Sequence, residues 1–161
     1  MKLFHDINSN MNKNANIYSH DIVPPYISES SQTLQSRLMS SQTSLMSKFR
    51  SVFTLRDLND GCSEEILILA LDSDYKHIIQ GVLRQEIVYS LGVMQSHCAI
   101  DCLRNILLDR SEPETIRSEA ALSLGSINLE HNFVFLEQFI SDCQQIVRES
   151  VIIALSSSEY L

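Results

Sequence analysis

An arginine recurs at nearly constant spacing through this chain, and the repeat that it marks constrains the fold more than any other feature. The four arginines, Arg50, Arg84, Arg117 and Arg148, are separated by 34, 33 and 31 positions. A fixed period of this length is typical of an α-solenoid or another stacked array, in which each repeat buries its apolar face against its neighbours.

Apolar residues around the last three arginines recur at spacings of three and four, which is the period of one face of an α-helix. These segments are therefore predicted to be amphipathic helices and not strands. The predicted buried positions are Leu83, Ile87, Leu91 and Met94 in the second repeat, Ile116, Ala120, Leu124 and Ile127 in the third, and Val147, Val151 and Leu155 in the fourth.

A second helical stretch lies before each of these three helices. The stretches are predicted at 64–71 behind a Ser63 cap, at 98–108, and at 133–140 after Asn132. Each period is then a pair of helices. We predict an all-α fold, a HEAT-like α-solenoid of about four helix pairs.

The first 28 residues differ from the remainder of the chain. Asparagine occupies positions 8, 10, 12, 14 and 16, and two prolines follow at positions 24 and 25. Such a composition favours a solvated extension without a packed core. We expect residues 1–28 to form a disordered Asn-rich extension, for which an interaction tail is the alternative, and residues 29–161 to form the HEAT-repeat domain.

Composition excludes several functional classes. The formal charge is -8 and the pI about 5.0, so we expect no nucleic acid and no membrane as partner. No apolar run is long enough to cross a bilayer, and the N-terminal residues lack the features of secretory or mitochondrial targeting, so we expect a cytoplasmic protein.

The four cysteines contain no C-x-x-C spacing and are predicted to be reduced, partly buried thiols.

Four segments carry a more specific signal. They are KFRSVFTLRDL at 48–58, LRQEIVYSLGVMQ at 83–95, IRSEAALSLGSI at 116–127 and VRESVIIAL at 147–155. In order and spacing these segments closely resemble the amino-terminal half of the deoxyhypusine hydroxylase family.

The resemblance implies a known architecture and chemistry. Members of that family are HEAT-repeat dyads whose two halves hold a di-iron centre, which uses oxygen to hydroxylate deoxyhypusine on a translation factor. Their iron ligands are His-Glu pairs directly after the repeat arginine. Imidazole and carboxylate together suit iron and leave positions open for oxygen.

This chain departs from that pattern at the ligands. Gln85 and Ser118 stand where the resemblance implies histidines, whereas Glu86 and Glu119 remain. We therefore predict no catalytic residue, a vestigial metal site at Glu86 and Glu119, and no cofactor, with iron as the cofactor if the chain is active. Solvated glutamates that complement a helix dipole are the alternative interpretation of this pair.

Other candidate residues are less specific. Gly92 and Met94 match the family's Gly-x-Met and are predicted to bind substrate. His97 lies beside Cys98 and close to Cys102 but lacks a fourth metal ligand. The repeat arginines could bind an acidic partner, although bonds to neighbouring repeats or helix ends are the favoured interpretation.

Three functional hypotheses follow. The leading one is a catalytically inactive, deoxyhypusine hydroxylase-like binding module of the hypusine pathway that still contacts the hypusine-bearing translation factor. The alternative is an active iron-dependent deoxyhypusine monooxygenase, completed by self-association or by another chain. An unrelated adaptor, or an incomplete gene product, is the third. We expect a monomer or a weak dimer.

Overall fold

A computed structural model describes residues 29–157, and the predicted Asn-rich extension at 1–28 lies outside this range. Within the described range the secondary structure is helical, with short 3-10 turns between some helices. The α-helices are α1 Ser31–Met39, α2 Leu45–Leu58, α3 Gly61–Ala70, α4 Gly81–Val93, α5 Ile100–Leu108, α6 Glu114–Ser126, α7 Glu130–Leu136 and α8 Gln145–Ser156.

The helices form two layers. The second helices of the pairs, α2, α4, α6 and α8, pack against one another in that order, and the first helices, α1, α3, α5 and α7, cover them from one side. The predicted HEAT-like solenoid is confirmed. The predicted apolar face is also confirmed, because all of its residues are buried except Leu155, which is half-buried.

The predicted helix starts differ from the observed ones where a side chain caps the helix. The Ser63 cap is wrong, because the Asp60 carboxylate accepts a hydrogen bond from the Ser63 backbone N–H at 2.7 Å and α3 begins at Gly61. Asn59 lies in the left-handed region with φ 47°, which makes the turn from α2 to α3 short. Asn59 therefore caps the end of α2, and Asp60 caps the start of α3. Ser63 lies inside α3, three residues after the cap.

The helix predicted at 133–140 begins earlier and ends earlier. Helix α7 starts at Glu130 and stops at Leu136, followed by a 3-10 turn. Asn132 lies inside α7 and is buried, where its Nδ2 donates to the Leu124 carbonyl at 3.2 Å and its Oδ1 accepts from Arg104 Nη2 at 3.0 Å. This residue therefore joins α7 to its neighbours and does not cap the helix.

Two of the repeat arginines form bonds between successive repeats. Arg84 donates to the buried Glu112 carboxylate at 2.9 and 3.3 Å, and Arg117 donates to both oxygens of Asp142 at 3.1 and 2.7 Å. Arg148 Nη1 donates to the Asp142 carbonyl at 2.6 Å. Glu112 and Asp142 lie in the turns that lead into α6 and α8, so Arg84 and Arg117 each bond to the next repeat, whereas Arg148 bonds to the turn before its own helix. The interpretation of the repeat arginines as bonds to neighbouring repeats or helix ends is confirmed for these three.

Two further features were tested by the structure. The cysteines of the described range form no disulfide, but Cys62, Cys98 and Cys143 are exposed and only Cys102 is half-buried. The expectation of partly buried thiols is therefore wrong for three of the four. None of the helices that the structure describes is long and apolar enough to cross a bilayer.

Candidate functional site

One surface of α2, α4 and α6 carries the two glutamates that the sequence singled out. We call it the second-helix face and define it by Arg56, Glu86, Tyr89, Glu119 and Leu122. The repeat places Glu86 and Glu119 at the same position, two residues after their arginines, so neighbouring helices bring the two carboxylates to one surface. Both glutamates are half-buried.

Glu86 is paired with a cation from the preceding repeat. Arg56 Nη1 donates to Glu86 Oε1 at 3.2 Å, and about a quarter of each side chain is exposed (26% and 24%). Burial raises the pKa of Glu86 above its ordinary value, although the Arg56 charge opposes that shift, and the Glu119 charge adds to it. The two carboxylates are therefore close enough for their charges to interact.

Glu119 is held by Gln85, the residue that stands where the resemblance implies a histidine. Gln85 Nε2 donates to Glu119 Oε2 at 3.2 Å. Burial raises the pKa of Glu119, and the Gln85 hydrogen bond partly offsets this increase. The neutral Gln85 side chain therefore stabilises the Glu119 carboxylate by donating an amide N–H to it.

Ser118, at the other position where the resemblance implies a histidine, is turned toward its own helix. Its Oγ donates to the Thr115 carbonyl at 2.9 Å, and the residue is buried. A serine hydroxyl bonded to the preceding turn is a common arrangement within helices. The structure thus brings Gln85, Glu86 and Glu119 together and leaves Ser118 outside their hydrogen-bond network.

A cavity of about 210 Å³ opens beside Glu119 between α4 and α6. It is mostly apolar, with one carboxylate among its lining groups. The other lining residues are Tyr89, Gly92, Val93, Leu122, Ser123 and Ser126.

Only one of the two residues predicted to bind substrate lines this cavity. Gly92 lines it, but Met94 is absent from the lining and lies in the core. Gly92 also has a packing role, because a Cβ atom there would lie 2.6 Å from Ser123 Oγ and 2.8 Å from Ser123 Cα. That space is needed for α6 to approach α4, and substrate binding by Gly92 or Met94 stays a prediction.

The donor set of this face does not fit a metal ion. Within residues 29–157, no group of three or more histidine, cysteine, aspartate or glutamate side chains is arranged to hold a metal. Glu86 already accepts from a guanidinium, and Glu119 from an amide. The second candidate metal site, near His97, also lacks a sufficient set of ligands within the described range. His97 and Cys98 are both exposed.

Sequence reasoning missed Arg56. Its position in the first repeat corresponds to Ser90, Ser123 and Ala154 in the others, because each lies six residues after its repeat arginine. The signal that could have identified it is a long, positively charged side chain at a position that holds a small residue in the other three repeats. The acceptors Glu112 and Asp142 of the inter-repeat bonds were also missed, since they lie in turns without a repeated motif.

Comparisons with known proteins agree with this architecture. A family model of HEAT repeats matches residues 66–156. The deoxyhypusine hydroxylase of Drosophila melanogaster is 34% identical over 143 residues, which is 88% of this chain and 46% of that protein. The deoxyhypusine hydroxylase of Dictyostelium discoideum is 36% identical over 144 residues, which is 88% of this chain and 44% of that protein.

A solved structure extends the comparison. Human deoxyhypusine hydroxylase in complex with glycerol superposes with a TM-score of 0.76 at 24% identity, covering 99% of this chain and 55% of that one. At this identity the match shows a shared fold. The chain spans about half the length of the curated relatives that it matches.

Proposed function

Because the chain belongs to the HEAT-repeat family and is related to the deoxyhypusine hydroxylases, we propose that it is a catalytically inactive, deoxyhypusine hydroxylase-like binding module. Its partner is the hypusine-bearing translation factor, and the second-helix face is the binding surface. The observation that supports this proposal most directly is the pairing of both retained carboxylates with the chain's own donors, Glu86 with Arg56 and Glu119 with Gln85.

The loss of catalysis follows from the donor set. A di-iron centre needs several imidazole and carboxylate ligands with open positions. In place of imidazoles this chain has the Gln85 amide and the Ser118 hydroxyl, of which the first donates to Glu119 and the second to its own helix. We accordingly assign no reaction step to these residues.

Retention of binding rests on the cavity beside Glu119. Deoxyhypusine is a lysine extended by an aminobutyl group, so it presents ammonium groups joined by methylenes. In this proposal Tyr89 and Leu122 contact the methylenes, and the Glu119 carboxylate among the lining groups accepts from an ammonium. An apolar cavity with a single charged group is a usual form of ligand site.

Binding of a fluorescent peptide tests the proposal. The full chain is titrated against a peptide that carries deoxyhypusine and against the same peptide with an unmodified lysine. We expect the deoxyhypusine peptide to bind more tightly. We also expect Glu119→Gln to remove the preference and the exposed Glu149→Gln to keep it. Equal affinity for both peptides would contradict the proposal.

Analysis of the reaction product distinguishes an inactive binding module from an active monooxygenase. The same mixtures are supplied with ferrous iron, a reductant and air, and the peptide is examined by mass spectrometry. We expect no mass increase of one oxygen atom. An oxygenated peptide that depends on this chain would support the deoxyhypusine monooxygenase alternative, completed by self-association or by another chain.

A further inference from the structure

A larger cavity, of about 470 Å³, lies between the first helices α3 and α5, and we call it the α3–α5 cavity. Ile68 of α3 and Ile106 of α5 supply apolar lining, and the charged side chains of Lys76 and Arg84 also line it. None of the residues that define the second-helix face lines this cavity, so the proposed function leaves it unassigned. Its volume is in the range of sites that bind small molecules.

Arg84 brings an unpaired donor to the α3–α5 cavity. The residue is only 4% exposed, and its Nε and Nη2 donate to the Glu112 carboxylate at 3.3 and 2.9 Å. Its third nitrogen, Nη1, is buried and has no hydrogen-bond partner in the part of the chain that the structure describes. A buried N–H without a partner is costly, so an acceptor oxygen beside Arg84 is favourable.

Positive charge exceeds negative charge around Glu112. Lys76 Nζ lies 2.8 Å from Glu112 Oε1, and the same oxygen accepts from Arg84 Nη2 at 2.9 Å. One carboxylate therefore faces two cations. Asp109 contributes less, because its carboxylate is 44% exposed, lies 3.7 Å from Lys76 and already accepts from the Ser111 backbone N–H. An unpaired guanidinium N–H beside a second cation suits a carboxylate.

Helix α5 gives the same cavity an acidic side. Asp101 and Asn105 are one turn apart, both are exposed, and their side chains form no hydrogen bond or ion pair with any described residue. Asp72 also lines the cavity, although its carboxylate accepts from the Asp74 backbone N–H. Carboxylate and amide oxygens accept from an ammonium, and their charge repels an anion with two negative charges, such as phosphate.

We propose that the α3–α5 cavity binds a small aminocarboxylate, a molecule with a carboxylate and an ammonium joined by methylenes. Arg84 and Lys76 donate to its carboxylate, Asp101 and Asn105 accept from its ammonium, and the apolar lining contacts the methylenes. This inference does not depend on peptide binding at the second-helix face.

Protection of a cysteine tests where the ligand binds. Cys98 is exposed and lines the cavity, whereas Cys62 and Cys143 are exposed and do not line it. The full chain is treated with iodoacetamide in the presence and absence of 5-aminopentanoate, and alkylation of each cysteine is followed by mass spectrometry. We expect slower alkylation of Cys98 alone. No protection, or equal protection of all three cysteines, would overturn the proposal.

Matched probes test which chemistry the cavity selects. Affinities for 5-aminopentanoate, pentanoate, pentylamine and inorganic phosphate are measured from backbone amide chemical shifts. We expect 5-aminopentanoate to bind at least about fivefold more tightly than each of the other three, because only it engages both sides of the cavity. Pentanoate or pentylamine of equal affinity, or phosphate of higher affinity, would contradict an aminocarboxylate site.

Variants at exposed or half-exposed positions test the assigned contacts without breaking the buried Arg84–Glu112 pair. Lys76→Gln and Asp101→Asn should each weaken 5-aminopentanoate binding at least about fivefold, and Lys76→Arg, which keeps the charge, should retain it. The matched control is Asp57→Asn, an exposed aspartate of α2 that does not line the cavity. Unfolding midpoints establish that each variant is folded. Unchanged affinity in Lys76→Gln or Asp101→Asn would refute the assignment.

Discussion

Gly125 lies so close to Ala154 that a Cβ atom on Gly125 would be 2.6 Å from the Cβ of Ala154. The same relationship joins Gly92 to Ser123 one repeat earlier. Each glycine follows its repeat arginine by eight positions, and each partner follows the next arginine by six. The two contacts set how closely α4, α6 and α8 approach one another.

Stability should respond sharply to this contact. Gly125→Ala places a methyl group against Ala154 in a packed interface, and we expect it to lower the free energy of unfolding by about 1–3 kcal/mol. The control is Gly61→Ala in the first turn of α3, where nothing lies within 4 Å of the added Cβ. It should be neutral or stabilising by up to about 1 kcal/mol. Urea denaturation followed by circular dichroism measures both, and equal effects would contradict the packing argument.

The Arg117–Asp142 pair should be the most sensitive of the inter-repeat bonds. Both side chains are almost fully buried, with 1% and 3% exposed, and Arg117 also donates to the Leu107 carbonyl and to Gln144 Oε1. Asp142→Ala leaves a buried guanidinium without its counter-charge, at a cost of about 3–5 kcal/mol. The exposed Asp101→Ala should cost about 1 kcal/mol or less. Thermal or urea unfolding measures the loss of stability in each variant. Similar losses for Asp142→Ala and Asp101→Ala would show that the pair contributes little.

Acid should remove the charged contribution of Asp142. The Arg117 hydrogen bonds lower the pKa of this carboxyl from 3.8 to about 2, so the folded protein binds its proton less readily than the unfolded chain does. The stabilisation is therefore complete above about pH 3.8 and is lost as the pH falls toward about 2. We expect the difference in unfolding free energy between wild type and Asp142→Asn to shrink across that interval. A difference that stays constant with pH would disprove this linkage.

Glu119 should show the opposite pH dependence. Burial raises the pKa of its carboxyl from 4.5, so the folded protein binds this proton more readily than the unfolded chain does. Stability is then greatest below about pH 4.5 and decreases as the pH rises through the folded pKa. Glu119→Gln should be more stable than wild type at pH 7, and the advantage should vanish at pH 4. The exposed Glu65→Gln serves as the control in urea titrations, and a less stable Glu119→Gln protein at pH 7 would refute the prediction.

Self-association is expected to be weak in metal-free buffer. A dimer formed through two second-helix faces would bring Glu86 and Glu119 of both copies together, and the net charge of -8 on each chain adds repulsion. Analytical ultracentrifugation should show a monomer. A tight metal-free dimer that is broken by Glu86→Ala plus Glu119→Ala would contradict the repulsion argument.

A dimer unaffected by those changes would use another surface, and the structure indicates which one to test. Ile152 on α8 is 50% exposed, whereas Val88 and Ala121, at the equivalent position of α4 and α6, are fully buried. The second helix of the next repeat packs against α4 and against α6, and α8 is the last helix among residues 29–157. Ile152→Glu should abolish such a dimer.

The sequence predicted the helices well because their buried residues recur with the helical period. Leu83, Ile87 and Leu91 were assigned to one face from spacing alone, and all three are buried. Helix ends were harder to predict. The choice of Asp60 over Ser63 as a cap, and the burial of Asn132 inside α7, depend on local geometry and on neighbouring helices.

By itself, the sequence determined the repeat, the pairing of helices and the absence of histidine at positions 85 and 118, because each is a property of residue identity and spacing along one chain. Only the tertiary structure decided what the retained carboxylates contact. Arg56 and Glu86 are 30 positions apart, and Gln85 and Glu119 are 34 apart. Hydrogen bonds act over about 3 Å, so these pairs exist only because repeat packing brings neighbouring second helices side by side.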